Sequence, residues 1–133
     1  MPTKQKPKLL VVDDERENLD LMYRTFRREF QVFRAESPAV AIDILSTQGE
    51  MAVIISDQSM PEMTGIEFLS KTVELYPQTI RILLTGYAAE ELNPEETTHI
   101  FKLISKPWNP EELKSTIKHA AVVYQENKAH DDP

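Results

Sequence analysis

The sequence has no cysteine among its 133 residues. Disulfide bonds, thiolate nucleophiles and cysteine-based zinc sites are therefore excluded. Glycine is also scarce, because only Gly49, Gly65 and Gly86 occur. These three positions fit neither a G-x-G-x-x-G motif nor a P-loop, so a glycine-rich turn that holds nucleotide phosphates is not expected.

Long apolar runs are missing as well. No stretch approaches the length that crosses a bilayer. The basic N-terminus MPTKQKPK is followed by only four apolar residues, Leu9 to Val12, which are too few for the core of a signal peptide. We therefore expect a cytoplasmic protein that has no membrane partner.

Positive charge is the minority charge in this chain. Lys and Arg number 15 against 22 Asp and Glu, which gives a formal net charge of −7. Binding to a phosphate backbone needs clustered Lys and Arg, so direct binding of nucleic acid is not expected as the main function. The acidic excess is compatible with a divalent cation or a basic partner surface.

The overall composition is that of a globular domain, with 41% hydrophobic and 28% charged residues. The length fits one domain that buries a sizeable core. We assign residues 1–7 to a flexible basic leader, residues 8–126 to the domain, and residues 127–133 to a polar tail or the start of a linker.

Short apolar segments alternate with helical patterns along the chain. Five segments are typical of buried strands: Lys8–Val12, Gln31–Ala35, Met51–Ser56, Thr79–Leu84 and Ile100–Ser105. Five others are typical of helices by apolar spacing or by their caps: Arg16–Phe30, Pro38–Thr47, Gly65–Tyr76, Ala88–Thr98, which Asn93-Pro94 interrupts, and Pro110–Glu126. This order predicts an α/β domain with a parallel sheet and helices on both faces.

Polar residues follow four of the predicted strands. Asp13 and Asp14 follow the first strand, Asp57 the third, Thr85 the fourth and Lys106 the fifth. Each residue alone has an ordinary explanation as a turn former, a loop residue bonded to local backbone, a strand residue or a solvated lysine. In a doubly wound sheet, however, these strand ends meet in one crevice, so the set as a whole indicates a site.

The chemistry of that set favours phosphoryl transfer around a metal ion. Three carboxylates in a small crevice repel one another unless a cation joins them. Oxygen ligands without His or Cys favour a hard ion such as Mg²⁺, which would leave a charge of about −1 for Lys106 to offset. One carboxylate could then attack phosphorus while Lys106 and the Thr85 hydroxyl contact the phosphoryl group.

The motifs resemble the receiver domain of two-component response regulators, including the chemotaxis regulators. The resemblance covers about Lys8 to Tyr124, and the matching stretches are LLVVDDE (9–15), SDQSMPEMTG (56–65), LLTG (83–86) and KP (106–107). It implies a flavodoxin-like fold with a five-stranded parallel sheet in the order 2-1-3-4-5, flanked by five helices. It also implies a cis peptide bond between Lys106 and Pro107.

The resemblance assigns a role to each of the site residues. Asp57 is the implied phosphoacceptor, Thr85 the switch hydroxyl, and Lys106 the partner of the phosphoryl group or of Asp57. The implied Mg²⁺ ligands are Asp14, Asp57 and the backbone carbonyl of Ser59, with Asp13 acting through a metal-bound water.

The same resemblance implies the partners. A sensor histidine kinase or a phosphotransfer protein would donate the phosphoryl group, and an output domain or downstream protein would read the face of the fourth helix and fifth strand. A homodimer is also compatible with it. The implied protein is a signalling domain rather than an enzyme, apart from its own Mg²⁺-dependent phosphorylation and dephosphorylation.

Two alternatives stay open. One is a pseudo-receiver that only binds partners. The other is a phosphatase with an aspartyl-phosphate intermediate, although such enzymes commonly carry a second Asp where this chain has Ser59.

Three residues near the fifth strand need separate expectations. The family usually has Tyr, Phe or His three residues before the lysine, and this ring rotates toward the switch hydroxyl when the domain is activated. Leu103 stands at that position here and has neither a ring nor a hydroxyl for such a rotation toward Thr85. Strand alternation predicts that Phe101 lies on the same side as Leu103. Trp108 is either a partner contact or a residue that packs over the sheet edge.

Overall fold

The strand–helix alternation folds into a three-layer α/β domain. The computed structural model describes residues 6–86, 92 and 94–131, and the elements within them are, in chain order, β1 (Lys8–Val12), α1 (Arg16–Phe26), β2 (Gln31–Ala35), α2 (Pro38–Gln48), β3 (Val53–Asp57), α3 (Gly65–Leu75), β4 (Ile80–Thr85), β5 (Lys102–Ser105) and α4 (Pro110–Asp131). All strand pairs are parallel, and their order is β2-β1-β3-β4-β5. The predicted fold class and strand order are confirmed.

The core forms two layers, one on each face of the sheet. Successive residues of a strand point to opposite faces, so Leu9 and Val11 pack toward α1 and α4, whereas Leu10 and Val12 pack toward α2 and α3. The two central strands β3 and β4 are buried along their whole length. Burial on both faces explains why these strands read as continuous apolar runs.

Side chains cap the N-termini of α2, α3 and α4, whereas α1 has no side-chain cap. The Ser37 hydroxyl accepts the Val40 N–H, and Asn109 Oδ1 accepts the Glu111 N–H at 2.8 Å. A capping box joins Thr64 and Glu67 at the start of α3. These side chains replace hydrogen-bond partners that the first turn of a helix lacks.

The expectation of five helices is wrong for the described residues, which contain four. Most of the predicted Ala88–Thr98 helix, with the Asn93 of the Asn93-Pro94 interruption, lies outside the described residues. Residues 94–99 form turns, in which the Thr97 and Ile100 N–H groups donate to the carbonyls of Pro94 and Thr97. Pro94 begins these turns and has no backbone N–H of its own to donate.

Two helix ends also differ from expectation. Helix α1 ends at Phe26, and Phe30 closes a turn in which its ring meets the Phe26 ring edge-on at 5.9 Å between centroids. Helix α4 continues to Asp131, so the predicted end of this helix at Glu126 is wrong. No glycine or proline interrupts that segment, and Lys128 is held by an ion pair with Glu50 at 3.1 Å.

No helix in the described part of the chain is both long enough and apolar enough to cross a membrane.

Candidate functional site

The carboxyl ends of the strands bring the predicted site residues to one edge of the sheet. Asp57 ends β3 and pairs in register with Leu84, the residue before Thr85 at the end of β4. Asp13 follows β1, and Lys106 follows β5. Parallel pairing therefore aligns the four strand ends at which the sequence places these polar residues.

Three carboxylates meet at this edge. One oxygen each from Asp13, Asp14 and Asp57 lie within 4.8 Å of one another, an arrangement that could hold a metal ion. Asp13 and Asp57 are buried, with 2% and 3% of their surface exposed, whereas Asp14 is exposed. The cluster thus has two buried carboxylates and one that faces solvent.

Asp13 accepts two hydrogen bonds within the cluster. Its Oδ1 accepts the Glu15 N–H at 2.9 Å, and its Oδ2 accepts a hydrogen bond from the Asn18 side chain at 3.1 Å. Burial raises the pKa of Asp13, and the charge of Asp57 raises it further, against the opposing effects of these hydrogen bonds and of Lys106. A raised pKa means that burial, and then the charge of Asp57, disfavour the ionised form of Asp13, a cost that a nearby cation would relieve.

Lys106 supplies positive charge from the opposite side. Its Nζ lies 2.8 Å from Oδ1 of Asp57. Burial alone would lower the pKa of Lys106, but the hydrogen bond and the charge of Asp57, with the charge of Asp13, outweigh burial and raise it. The Lys106–Pro107 peptide bond is cis, as expected.

Thr85 and Ser59 flank the cluster. Thr85 is buried, with 2% exposed, and its carbonyl accepts the Lys106 N–H at 2.9 Å, which ties the ends of β4 and β5 together. Ser59 is exposed in the loop after Asp57 and lines, with Asp14 and Gln58, a surface cavity of about 410 Å³. The edge therefore has an open side next to the carboxylates.

Comparison with known proteins identifies the family. The family model described as the response regulator receiver domain matches residues 9–118, which contain every residue of this site. The chain belongs to the response regulator receiver family.

Several curated proteins share this receiver sequence. The hydrogenase transcriptional regulatory protein HoxA of Cupriavidus necator is 38% identical over 114 residues, which cover 84% of this chain and 23% of HoxA. A chemotaxis protein CheY homolog of Campylobacter jejuni is 32% identical over 117 residues, which cover 84% of this chain and 89% of the relative. The chain thus spans about a quarter of HoxA but most of the chemotaxis protein.

Solved structures show the same fold. The response regulator receiver domain protein (CheY-like) from Methanospirillum hungatei JF-1 is 27% identical, with a TM-score of 0.84 over 93% of this chain and 99% of that one. The signal receiver domain of an HD domain-containing protein from Pseudomonas fluorescens Pf-5 is 25% identical, with a TM-score of 0.86 over 97% and 96%.

The face beside β5 differs from expectation in one respect. Leu103 of this receiver packs with the cluster that covers α2 and α3. Phe101 instead meets the His119 ring of α4, with 5.7 Å between centroids, so the expectation that it shares the side of Leu103 is wrong. Phe101 precedes the first residue of β5, and strand alternation therefore does not extend to it.

The position of Trp108 favours packing over the sheet edge as its role. It is half-buried against the core layer of α1 and α4. It also lines a surface cavity of about 510 Å³ with Lys106 and Pro107, so one part of the ring stays accessible beside the site.

Sequence reasoning missed Asn18 and Gln58. Asn18 lies in the first turn of α1 and donates to Asp13, and the Gln58 side chain accepts a hydrogen bond from the first turn of α3. Asn18 follows Asp13 by five residues, and this spacing could have indicated the contact once the start of α1 was known. Nothing in the sequence distinguishes Gln58 from an ordinary loop residue.

Proposed function

We propose that this receiver domain takes a phosphoryl group on Asp57 from a phosphohistidine of a sensor histidine kinase or phosphotransfer protein, with Mg²⁺ bound at the acidic cluster. The observation that carries the proposal is the cluster itself. Three carboxylates lie within 4.8 Å of one another, and a lysine ammonium lies 2.8 Å from one of them.

The donor set fits Mg²⁺. Every candidate ligand is an oxygen, and Mg²⁺ is a hard ion that retains several waters and binds through one or two carboxylates. We assign Asp14, Asp57 and the Ser59 carbonyl as direct ligands and Asp13 as a partner of a bound water. The exposed position of Asp14 and the open cavity beside Ser59 leave room for those waters.

Phosphoryl transfer then needs little rearrangement. An Asp57 carboxylate oxygen attacks phosphorus, the P–N bond of the phosphohistidine breaks, and its electron pair returns to the imidazole nitrogen. The new O–P bond makes an acyl phosphate. Bound Mg²⁺ supplies positive charge for the phosphoryl oxygens, and the Lys106 ammonium and Thr85 hydroxyl contact those oxygens from the β4–β5 side.

The product changes the charge at one point of the sheet edge. Phosphorylation adds about 1.5 to 2 negative charges. The Lys106 ammonium then pairs with the phosphoryl group instead of Asp57, and Thr85 moves toward the same group. These shifts alter the ends of β4 and β5. An output domain or separate protein that reads the adjoining surface is the proposed recipient of the signal.

Three further assignments are proposals. Receiver domains are signalling modules rather than classical enzymes, so we propose no turnover of a small substrate beyond loss of the phosphoryl group from Asp57. A cytoplasmic location and a homodimer stay predictions from the sequence.

The test is phosphorylation of the purified chain by a small phosphodonor such as acetyl phosphate. We expect a phosphoryl mass gain that requires Mg²⁺ and is abolished in Asp57→Asn. Asp43→Asn, a matched change of an exposed carboxylate on α2, should retain it. No mass gain in the folded wild-type chain would favour the pseudo-receiver alternative, and sustained hydrolysis of a phosphomonoester would favour the phosphatase alternative.

A further inference from the structure

Gln58, the residue directly after Asp57, joins three elements through hydrogen bonds. Its N–H donates to the Leu84 carbonyl of β4 at 2.8 Å, and its carbonyl accepts the Gly65 N–H at 3.0 Å. Its side-chain Oε1 accepts the Ile66 N–H at 2.9 Å. The first two bonds use backbone atoms that any residue has, whereas the third requires an acceptor on this side chain.

The side-chain bond completes the N-terminus of α3. The first N–H groups of a helix have no acceptor within the helix. Here Gly65 donates to the Gln58 carbonyl, Ile66 to the Gln58 side chain, and Glu67 to the Thr64 hydroxyl at 3.1 Å. Ile66 is buried, with 2% exposed, so its N–H would have no water to replace Gln58.

The same bond anchors the loop that carries the site. Gly65 approaches the Asp57 backbone so closely that an added Cβ would collide with the Asp57 carbonyl and the Leu83 side chain. Between these contacts, Ser59, Pro61 and Glu62 are exposed while Met60 packs against the core layer of α2 and α3, and Glu62 has a φ of 72°. Gln58 is thus the buried residue, 9% exposed, from which the exposed Ser59 segment extends.

We propose that Gln58 is a positioning residue. By accepting the Ile66 N–H, it fixes the orientation of the Asp57 carboxylate on one side and of the Ser59 carbonyl on the other. This inference rests on the proposed function, because both of those groups are assigned there as Mg²⁺ ligands.

Three variants separate positioning from simple stabilisation of α3. Gln58→Met keeps a similar shape but has no oxygen to accept the Ile66 N–H. Gln58→Glu retains that acceptor. Thr64→Val is the matched control, because it removes the acceptor of the neighbouring Glu67 N–H from the same helix end without altering residue 58.

The readouts are Mg²⁺ affinity by calorimetry, the rate of phosphorylation by acetyl phosphate, and the free energy of unfolding. Gln58→Met should bind Mg²⁺ about tenfold more weakly, the low end for loss of a group that orients metal ligands, and should be phosphorylated more slowly. Thr64→Val should lose a similar amount of stability while Mg²⁺ affinity stays within about twofold. Gln58→Glu should restore the affinity to the wild-type value or above, since its charge also attracts the ion.

Each result of these measurements either supports the positioning role of Gln58 or overturns it. If Gln58→Met and Thr64→Val have the same Mg²⁺ affinity and phosphorylation rate, Gln58 is only a helix cap and the inference is overturned. If Gln58→Glu binds Mg²⁺ more weakly than wild type, the inference is overturned as well. This comparison applies even where Gln58→Met does not fold. If the wild-type chain itself takes neither Mg²⁺ nor phosphate, the proposed function fails, and this inference fails with it.

Discussion

The ammonium of Lys106 lies 2.8 Å from Oδ1 of Asp57, and it joins the ends of two strands that are not neighbours in the sheet. Strand β4 lies between them and contributes Thr85. The Asp57 side chain is 5% exposed and that of Lys106 is 28% exposed. This partly buried pair is therefore accessible from solvent on its lysine side.

Removal of the lysine charge should slow phosphorylation far more than it disturbs the fold. For Lys106→Met we expect a rate that falls on the order of 100-fold, as for the loss of one preorganised group that stabilises developing negative charge. The measurement is the initial rate with acetyl phosphate at saturating Mg²⁺. Lys102→Met, a change of an exposed lysine on β5, the strand that Lys106 follows, serves as the control, and equal rates in the two variants would contradict the role of Lys106.

Mg²⁺ should stabilise the chain through the acidic cluster. At a concentration of about 100 times its Kd, a ligand that binds only the folded state adds about 2.7 kcal/mol to the free energy of unfolding. Asp13→Asn should weaken Mg²⁺ binding about tenfold and so lose part of this gain, while Asp43→Asn should retain it. Thermal unfolding with and without Mg²⁺ measures the effect, and an equal gain in both variants would place the ion elsewhere.

The close approach of α3 to Asp57 predicts a contrast between two glycines. Gly65→Ala places a Cβ against the Asp57 carbonyl and Leu83, whereas a Cβ at Gly86 meets nothing within 4 Å. We expect Gly65→Ala to cost about 1 to 3 kcal/mol, the usual range for overpacking, and Gly86→Ala to cost much less. Chemical denaturation measures both, and similar stabilities would show that α3 can move away from Asp57.

Tyr124 links α4 to the segment before β3. Its hydroxyl donates to Glu50 at 2.6 Å. Burial, and then this hydrogen bond, raise the pKa of Tyr124 above its ordinary value of 10.0. The folded state therefore keeps a proton that the unfolded chain loses, so this contribution to stability is complete below pH 10 and is lost as the pH rises beyond it.

The corresponding prediction concerns Tyr124→Phe. At pH 8 this variant should be less stable than wild type by about 1 kcal/mol, the net value of one hydrogen bond. The difference should shrink between pH 10 and 11, since Phe has no proton to lose. Tyr23→Phe is the control, because that ring keeps its contact with Arg34 at 4.3 Å. A difference that grows with pH would contradict the assignment.

The sequence predicts the sheet, and the meeting of Asp13, Asp57 and Lys106 at one edge of it, because both depend on local signals. Buried parallel strands read as apolar runs, and four of the five predicted strands are followed by one of the polar residues of the set. Once the strands are parallel, their carboxyl ends share one edge, so Asp13, Asp57 and Lys106 had to lie near one another. This step needs the strand directions but not the packing of the helices.

Features that depend on tertiary contacts were not predictable in this way. Helix α4 extends to Asp131 with support from Glu50, which lies far away in the sequence and pairs with Lys128. The bond between Gln58 and Ile66 exists only because α3 starts close beside Asp57. Phe101 turns toward His119 because it lies outside β5, and strand boundaries are the least certain part of a sequence-based assignment.

The most direct test of the account is the chemical location of the phosphoryl group. After incubation with acetyl phosphate and Mg²⁺, borohydride reduces an aspartyl phosphate to homoserine, and peptide mass spectrometry then identifies the modified position. We predict homoserine at position 57 alone, and only when Mg²⁺ and phosphodonor are both present. Homoserine at Asp13 or Asp14, or at no position in a folded chain, would contradict the assignment of Asp57 as the phosphoacceptor.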